Sequence, residues 1–134
     1  MKIGFRLVVG IAALLMLTGC GASKKPVNNY RQVSAEEAAA IIAEETDYII
    51  LDVRTQAEYA QAHIPGAVCV PNETIGSEEI PELSDKDQLI LVYCRSGNRS
   101  RQASEKLVKL GYTNIVEFGG INSWTGKTVS GSEE

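Results

Sequence analysis

A reactive group and the residues that could support it are concentrated in one stretch, CRSGNRS, at positions 94–100. The stretch follows an apolar run, LILVY, and precedes RQASEKLVKL, whose apolar residues have helical spacing. A loop that leaves a strand and enters a helix directs unpaired N–H groups into its concave side, and the helix N-terminus adds about half a positive charge. We therefore predict that this loop, with Gly97 at its turn and Ser100 as the helix cap, binds an anion or a thiolate.

Cys94, the first residue of this loop, is the predicted nucleophile. A helix N-terminus and nearby arginines lower the pKa of a cysteine thiol, so that more thiolate is present at neutral pH. Arg95, Arg99 and Arg101 form a basic patch, which would attract a small anion such as a sulfur oxyanion although the chain has a net charge of −4. The alternative is that Cys94 is an ordinary buried thiol beside solvated arginines.

Patterns of helices and strands alternate along the chain and define how the loop is positioned. The predicted helices cover 35–45, 56–63 and 101–110, and the predicted strands cover YIILDV at 48–53, AVCV at 67–70, QLILVYC at 88–94 and NIVEF at 114–118. Because the central strands are apolar on both faces, we predict a parallel sheet covered by helices on each side. Ligands of such sheets bind beyond the carboxyl ends of the strands, where this loop begins.

Three motifs in the sequence resemble one known family. CRSGNRS after an apolar strand, LDVRTQAEYAQAHIPGAVCVP at 51–71 and EFGGINSW at 117–124 are similar to the rhodanese (thiosulfate sulfurtransferase) homology domain in its single-domain form. They keep the family's order and spacing, and the similarity covers nearly all of residues 30–125, which we predict to be the domain. The resemblance implies an α/β fold, in which a central, mostly parallel five-stranded sheet is flanked by helices on both faces.

The same resemblance implies a persulfide mechanism. In such enzymes the loop cysteine attacks the outer sulfur of thiosulfate, sulfite leaves, and the resulting persulfide passes its sulfur to cyanide or to a thiol. Cys94 would be the nucleophile, and Arg95 and Arg99 would bind the anionic end of the donor. The loop as a whole would bind the donor and cradle the persulfide: Arg95, Ser96, Gly97, Asn98, Arg99 and Ser100. Asp52 and Arg54 would brace the loop or line the site, and Glu58 would pair with Arg54.

The length of the loop distinguishes this interpretation from a phosphatase. Four residues lie between Cys94 and Arg99, whereas protein tyrosine phosphatases and their rhodanese-fold relatives have five. A shorter ring of amides suits one sulfur atom better than the three oxygens of a phosphate, and no general acid follows closely, which also argues against an arsenate reductase. A persulfide carrier or a thiol redox module stays open, as does a non-catalytic binding domain, although such domains commonly lack the loop cysteine.

Three further residues invite a functional role. His63, the single histidine, could pair with Cys94, but within HIPGA the resemblance favours a fold-stabilising turn residue. Cys69 could resolve a persulfide or sulfenate on Cys94 as a disulfide, but a lone cysteine in a short apolar strand is more often a small buried hydrophobe. Trp124 is expected to cover one edge of the domain or to border the site.

The N-terminus has the pattern of a secretory signal peptide. A positively charged start precedes the apolar run LVVGIAALLML at 7–17, which is shorter than the roughly 20 residues of an ordinary membrane span. The junction LTGC at 17–20 resembles the bacterial lipobox, which implies removal of residues 1–19 and lipidation of Cys20. We therefore predict an extracytoplasmic bacterial lipoprotein, held on a membrane by its acyl chains.

Polar segments flank the predicted domain, and composition limits its partners. Residues 20–29 combine the lipidated cysteine with a tether, and residues 126–134 are predicted to be a flexible tail. Hydrophobic residues make up 44% of the chain and charged residues 22%, which suits one soluble domain. Loss of the signal peptide would take the net charge from −4 to −6, which argues against nucleic acid as a partner. With one histidine and no CxxC pair, we predict no metal; we also predict no cofactor, and a monomer.

Overall fold

The structure is a computed structural model, and it describes residues 30–131. The strands in this range are β1 (Tyr30–Gln32), β2 (Tyr48–Asp52), β3 (Val68–Cys69), β4 (Leu89–Cys94) and β5 (Ile115–Gly120), and the α-helices are α1 (Ala35–Glu44), α2 (Gln56–Gln61) and α3 (Asn98–Lys109). None of these helices is long and apolar enough to cross a membrane.

Several predictions fall on residues outside the described range. They are the signal peptide at 1–19, the lipidation of Cys20, the tether at 20–29 and the last three residues of the tail, 132–134. They remain predictions from the sequence.

The five described strands form one sheet in the order β1-β5-β4-β2-β3, and all neighbouring strands pair in parallel. Side chains of β4 alternate between two buried clusters: Ile90, Val92 and Cys94 pack with Ala103 and Leu107 of α3 on one face, and Leu91 and Tyr93 pack with Ala38 of α1 on the other. The predicted α/β fold, with helices on both faces of a five-stranded sheet, is therefore confirmed. The local pattern does not predict β1, because it has three residues, of which two are exposed.

Helix α3 begins differently from the prediction. Gly97 is its N-cap, with a φ of 110°, and Asn98 is the first helical residue. Ser100 therefore lies in the first turn, where its Oγ lies 3.0 Å from the Gly97 carbonyl oxygen and accepts no hydrogen bond that would cap the helix. The prediction of a Ser100 cap is wrong because the left-handed glycine ends the loop earlier. By contrast, the capping box of Ser34 and Glu37 at the start of α1 is present as predicted.

Part of the predicted flexible tail is held against the domain. Val129 forms two backbone hydrogen bonds with His63, at 2.8 and 2.9 Å, and the Gly131 amide donates to the Ala60 carbonyl at 2.7 Å. The structure thus differs from the prediction at Val129 and Gly131. These backbone pairings join distant segments, which the local sequence pattern cannot show.

Candidate active site

Cys94 ends β4 and lies at the base of the loop that leads into α3. Only 1% of the residue is exposed, and its Sγ accepts a hydrogen bond from the Gly97 N–H at 3.0 Å. The chain turns at Gly97, whose φ of 110° is one that residues with a side chain rarely adopt. The turn therefore places a backbone donor on the sulfur, as the sequence pattern predicts.

The end of strand β5 packs against the backbone of the loop that follows Cys94. The register between β4 and β5 shifts after Val92, so that Cys94 lies beside Gly120. A side-chain carbon at Gly120 would collide with the Arg95 carbonyl and the Ser96 amide. The position requires glycine because the backbone of β5 lies directly against the loop. The Asn122 amide then donates to the Arg95 carbonyl at 3.2 Å, which fixes the loop from a second side.

The surroundings of Cys94 favour its thiolate. Burial raises the pKa of the Cys94 thiol, but hydrogen bonds from the Ser100 hydroxyl and from the amides of Ser100, Gly97 and Ser96 together bring the pKa below its usual value. Arg99 adds a charge interaction with the sulfur. The sequence pattern predicted that the helix N-terminus and the arginines lower this pKa. In the structure the first causes are the hydroxyl and amide of Ser100, in the first turn of α3, followed by the amides of Gly97 and Ser96.

Arg99 forms a bidentate ion pair that the sequence analysis did not predict. Its Nη1 lies 2.8 Å from Oε1 of Glu58, and its Nη2 lies 3.0 Å from Oε2. This pairing lowers the pKa of Glu58 to about 2. The predicted pairing of Glu58 with Arg54 is therefore wrong. Thr55 caps α2 and places Glu58 in the first turn, from which its carboxylate reaches the start of α3.

Asp52 and Arg54 form a buried brace at the end of β2. The guanidinium contacts the carboxylate through Nε and Nη2, at 2.7 to 3.1 Å, and Nη2 also donates to the Ala62 carbonyl at 2.6 Å. The carboxylate further accepts from the Tyr93 hydroxyl at 2.7 Å. Since Tyr93 directly precedes Cys94, the brace fixes the strand that carries the thiol. Burial and Asp52 raise the pKa of Tyr93 well above its usual value.

A cleft of about 530 Å³ opens beside the loop. Its lining includes three of the predicted residues, Arg54, Glu58 and Arg95, together with Asn122 and Ile121. Arg95 is exposed, and its charge is therefore available to an anion that enters the cleft. Two supporting residues, Arg54 and Glu58, and the loop residue Arg95 therefore border one opening, whereas Asp52 and Cys94 are not among its lining residues.

Glu117 is a site residue that the sequence analysis missed. It lies on β5 beneath the loop, with 3% of the residue exposed. Its Oε1 accepts hydrogen bonds from the Ser100 hydroxyl at 2.6 Å and from the Gly119 amide at 2.9 Å. Glutamate is rarely buried unless its carboxylate is satisfied, so a glutamate inside the predicted strand NIVEF was the signal that could have identified it.

The three further candidates lie in different surroundings. The His63 ring stacks on Tyr59, with 3.7 Å between the ring centroids, and its Nδ1 lies 2.8 Å from the Tyr59 carbonyl oxygen. Trp124 packs against Phe118, with 5.9 Å between their ring centroids. Both sets of contacts suit the structural roles expected for these residues. Cys69 and Cys94 are both free thiols.

Within residues 30–131, no group of three or more His, Cys, Asp and Glu side chains converges as metal ligands would. The arrangement instead centres on one thiol in a ring of amide donors, at the carboxyl edge of a parallel sheet. That combination is typical of sites in which a cysteine thiolate acts as the nucleophile.

Comparison with known proteins identifies the family. Residues 34–127 match the rhodanese-like domain, and the chain belongs to that family. It is 38% identical to a sulfurtransferase of Allochromatium vinosum, over 69% of this chain and 86% of the relative. It is 31% identical to thiosulfate sulfurtransferase GlpE of Pseudomonas entomophila, over 81% of this chain and all of the relative.

A longer relative and a solved structure share the same domain. The chain spans 26% of the length of an adenylyltransferase and sulfurtransferase of Candida albicans, with 31% identity over 81% of this chain. A solved structure described as rhodanese with anions from E. coli matches with a TM-score of 0.57 and 34% identity, over 63% of this chain and 99% of that one. The protein is therefore a member of a family of rhodanese-like sulfurtransferases.

Proposed function

We propose that the protein transfers sulfane sulfur from thiosulfate, or a similar donor, to cyanide or a thiol through a persulfide on Cys94. One observation carries this proposal: the buried Sγ of Cys94 accepts a hydrogen bond from the Gly97 amide at 3.0 Å, and the surrounding hydrogen bonds lower the pKa of the thiol. The names of the sulfurtransferase relatives support the same chemistry.

The reaction consists of two displacements at sulfur. The Cys94 thiolate attacks the outer sulfur of thiosulfate, a new S–S bond forms, and the S–S bond of thiosulfate breaks as sulfite leaves with the electron pair. The terminal sulfur of the persulfide then carries the negative charge, which the loop amides stabilise. Cyanide attacks that terminal sulfur, thiocyanate leaves, and the Cys94 thiolate is regenerated. No oxidant or reductant is consumed.

The two loop arginines play unequal parts in this proposal. Arg95 is exposed beside the cleft and supplies a charge for the sulfonate end of the donor. Arg99 already carries the Glu58 carboxylate on both of its terminal nitrogens. An anionic donor that uses Arg99 must compete with that carboxylate, which weakens binding of a small dianion.

Replacement of the proposed nucleophile tests the activity. We expect Cys94→Ser to abolish thiocyanate formation from thiosulfate and cyanide, because a serine hydroxyl is not ionised at neutral pH and cannot hold a persulfide. Cys69→Ser is the matched control and should retain the activity. A Cys94→Ser protein that still produced thiocyanate would overturn the proposal.

A persulfide carrier is the second candidate function. The Arg99–Glu58 pair favours it, because the pair reduces the positive charge available to thiosulfate while leaving the amide cradle for a persulfide intact. A putative sulfur carrier protein of Bacillus subtilis, 32% identical over 79% of this chain and 57% of the relative, supports the comparison. A carrier would gain one sulfur atom but release it slowly to cyanide, whereas the enzyme would turn over repeatedly.

We further propose that the protein is an extracytoplasmic lipoprotein anchored through Cys20. The support is the apolar run followed by LTGC in the sequence. Labelling of bacterial cells with a fatty-acid analogue should modify the wild-type protein and not the Cys20→Ser variant. Equal labelling of the two proteins, or labelling of neither, would contradict the anchor without bearing on the sulfur chemistry.

A further inference from the structure

Glu117 and Ser100 connect the thiol to a buried carboxylate. Glu117 belongs to the face of β5 that packs against α3, and its carboxylate accepts from the Ser100 hydroxyl, the Gly119 amide and the Gln32 side-chain amide. Ser100 is fully buried, and its Oγ lies 3.4 Å from the Sγ of Cys94. One hydroxyl group therefore separates the nucleophile from a group that binds protons.

The Ser100 hydroxyl has one proton but four polar neighbours. Its Oγ lies 2.6 Å from Glu117 Oε1, 3.0 Å from the Gly97 carbonyl oxygen, 3.2 Å from the Gly119 carbonyl oxygen and 3.4 Å from Cys94 Sγ. A separation of about 2.6 Å is typical of a hydroxyl that donates to a carboxylate. While Glu117 is ionised, Ser100 therefore donates to it and presents a lone pair to the sulfur. In that arrangement the Cys94 thiol donates to Ser100, and the Ser100 hydroxyl can donate to a Cys94 thiolate only when its proton no longer goes to Glu117.

We propose that Glu117 is a positioning residue that takes up the proton of Cys94 through Ser100. The S–H proton moves to Ser100 Oγ as the Ser100 proton moves to Glu117 Oε1. The products are a Cys94 thiolate, a Ser100 hydroxyl that now donates to it, and a neutral Glu117 carboxyl that donates to Ser100. No proton enters or leaves the protein, and the buried network carries one negative charge before and after the transfer.

The charges around Glu117 fit a single shared negative charge. The titratable and charged groups near it are Cys94 on β4, which Ser100 separates from it, Tyr30 on β1, and Arg101 and Glu105 on α3. Glu117, Arg101 and Glu105 each have a charge interaction with Tyr30. Arg101 Nη1 and Glu117 Oε1 lie 3.5 and 3.8 Å from the same point beside Gly97. Two buried negative charges this close would repel each other strongly, so ionisation of one member favours protonation of the other.

This inference deepens the proposed function and rests on it only in one respect, namely that Cys94 reacts as a thiolate. Iodoacetamide also reacts with the thiolate of cysteine, and its rate requires neither a sulfur donor nor turnover. A protein without thiosulfate:cyanide activity would contradict the proposed function, but its alkylation by iodoacetamide would still test the role of Glu117.

The first measurement is the pH dependence of Cys94 alkylation in the whole protein. Two groups that share a proton and interact by more than about one pK unit titrate in two steps, so we expect a wild-type profile with two rises separated by a plateau. Glu117→Gln should give one rise, because it keeps a polar side chain but cannot accept the proton. Glu105→Gln removes an exposed carboxylate of α3 and should keep the two steps. A wild-type profile with a single rise, of the same shape as that of Glu117→Gln, would overturn the proposal.

The second measurement needs no substitution at Glu117. The infrared spectrum of the wild-type protein at neutral pH should contain the C=O stretch of a protonated carboxyl group, and this band should disappear in Cys94→Ser, where no neighbouring thiolate keeps Glu117 protonated. Persulfide formation should retain the band, since the negative charge stays on sulfur. A spectrum without this band, or a band unchanged by Cys94→Ser, contradicts the transfer even if Glu117→Gln fails to fold.

Discussion

Cys94 and Cys69 end parallel strands of the same sheet, yet their thiols have opposite properties. The pKa of Cys94 lies below its usual value, because hydrogen bonds from the Ser100 hydroxyl and three loop amides outweigh burial. The pKa of Cys69 is raised to about 11, first by burial and then by the charge of Asp52. The Sγ of Cys69 lies 3.7 Å from the Arg54 carbonyl oxygen, an acceptor that favours the protonated thiol.

The difference shows that the end of a parallel strand does not by itself make a thiol reactive. Between the two cysteines, at the end of β2, the Asp52–Arg54 pair has its donors and acceptors directed at each other and at Tyr93. At the end of β4 the loop directs its amides at the sulfur instead. Reactivity therefore follows from where the backbone donors point, and the buried ion pair between the cysteines directs none of these hydrogen bonds at either sulfur.

The largest expected effect comes from breaking that ion pair. Asp52→Ala would leave the Arg54 charge buried and the Tyr93 hydroxyl without its acceptor, and we expect a loss of about 3–5 kcal/mol in the free energy of unfolding. Denaturant titration measures the loss, and Glu44→Ala, an exposed carboxylate of α1, is the control. A loss below about 1 kcal/mol would mean that the pair does not brace the strand ends.

A second, smaller effect compares the two thiols directly. We expect iodoacetamide to modify Cys94 at least about 10-fold faster than Cys69 at pH 7. The pKa of Cys94 lies below its usual value and that of Cys69 is raised to about 11, so Cys94 has the larger thiolate fraction, partly offset by the lower nucleophilicity of the more acidic thiol. Peptide mapping by mass spectrometry during the reaction separates the two sites. Equal rates would show that the loop does not activate its cysteine.

The smallest effect concerns the link between the two regions, the pair of Glu58 and Arg99. The pKa of Glu58 in the folded protein, about 2, lies below its ordinary value of 4.5, so the stabilisation is present above that ordinary value and is lost as the pH falls through about 2. We expect Glu58→Gln to lower the free energy of unfolding at pH 7 by less than about 1 kcal/mol, because the pair is partly exposed. The difference from wild type should shrink toward pH 2.

Glu58→Gln should also release Arg99 toward the donor, which we expect to lower the KM for thiosulfate with little change in kcat. Glu44→Gln is the matched control for the loss of one carboxylate. A stability difference that grew as the pH fell, or a KM that rose, would contradict the role given to this pair.

The elements predicted from sequence were those with strong local patterns. The unbroken apolar runs of β2 and β4, the Ser34 capping box and the strand–cysteine–glycine–helix order of the loop all follow from neighbouring residues. The family resemblance implied a sheet of five strands, one more than the local patterns predict, but it did not show that the additional strand is β1, at Tyr30–Gln32. These signals were enough to place Cys94 at the carboxyl edge of a parallel sheet.

The features that the sequence did not predict depend on contacts between distant segments. The partner of Glu58 is 41 residues away on α3, and the Ser100 hydroxyl meets Glu117 across 17 residues. The sequence predicts a basic patch of loop arginines, yet the fold brings Glu58 to Arg99 and Glu117 to Ser100. Local spacing cannot show which carboxylate reaches which loop, because that choice is made by the order of strands in the sheet.

Intact-mass measurement of the protein before and after thiosulfate, and again after cyanide, shows directly whether Cys94 carries the transferred sulfur. We expect wild type to gain one sulfur atom and to lose it to cyanide as an equimolar amount of thiocyanate, Cys69→Ser to behave likewise, and Cys94→Ser to gain none. A sulfur atom added to Cys94→Ser, or none added to wild type, would contradict a persulfide on Cys94.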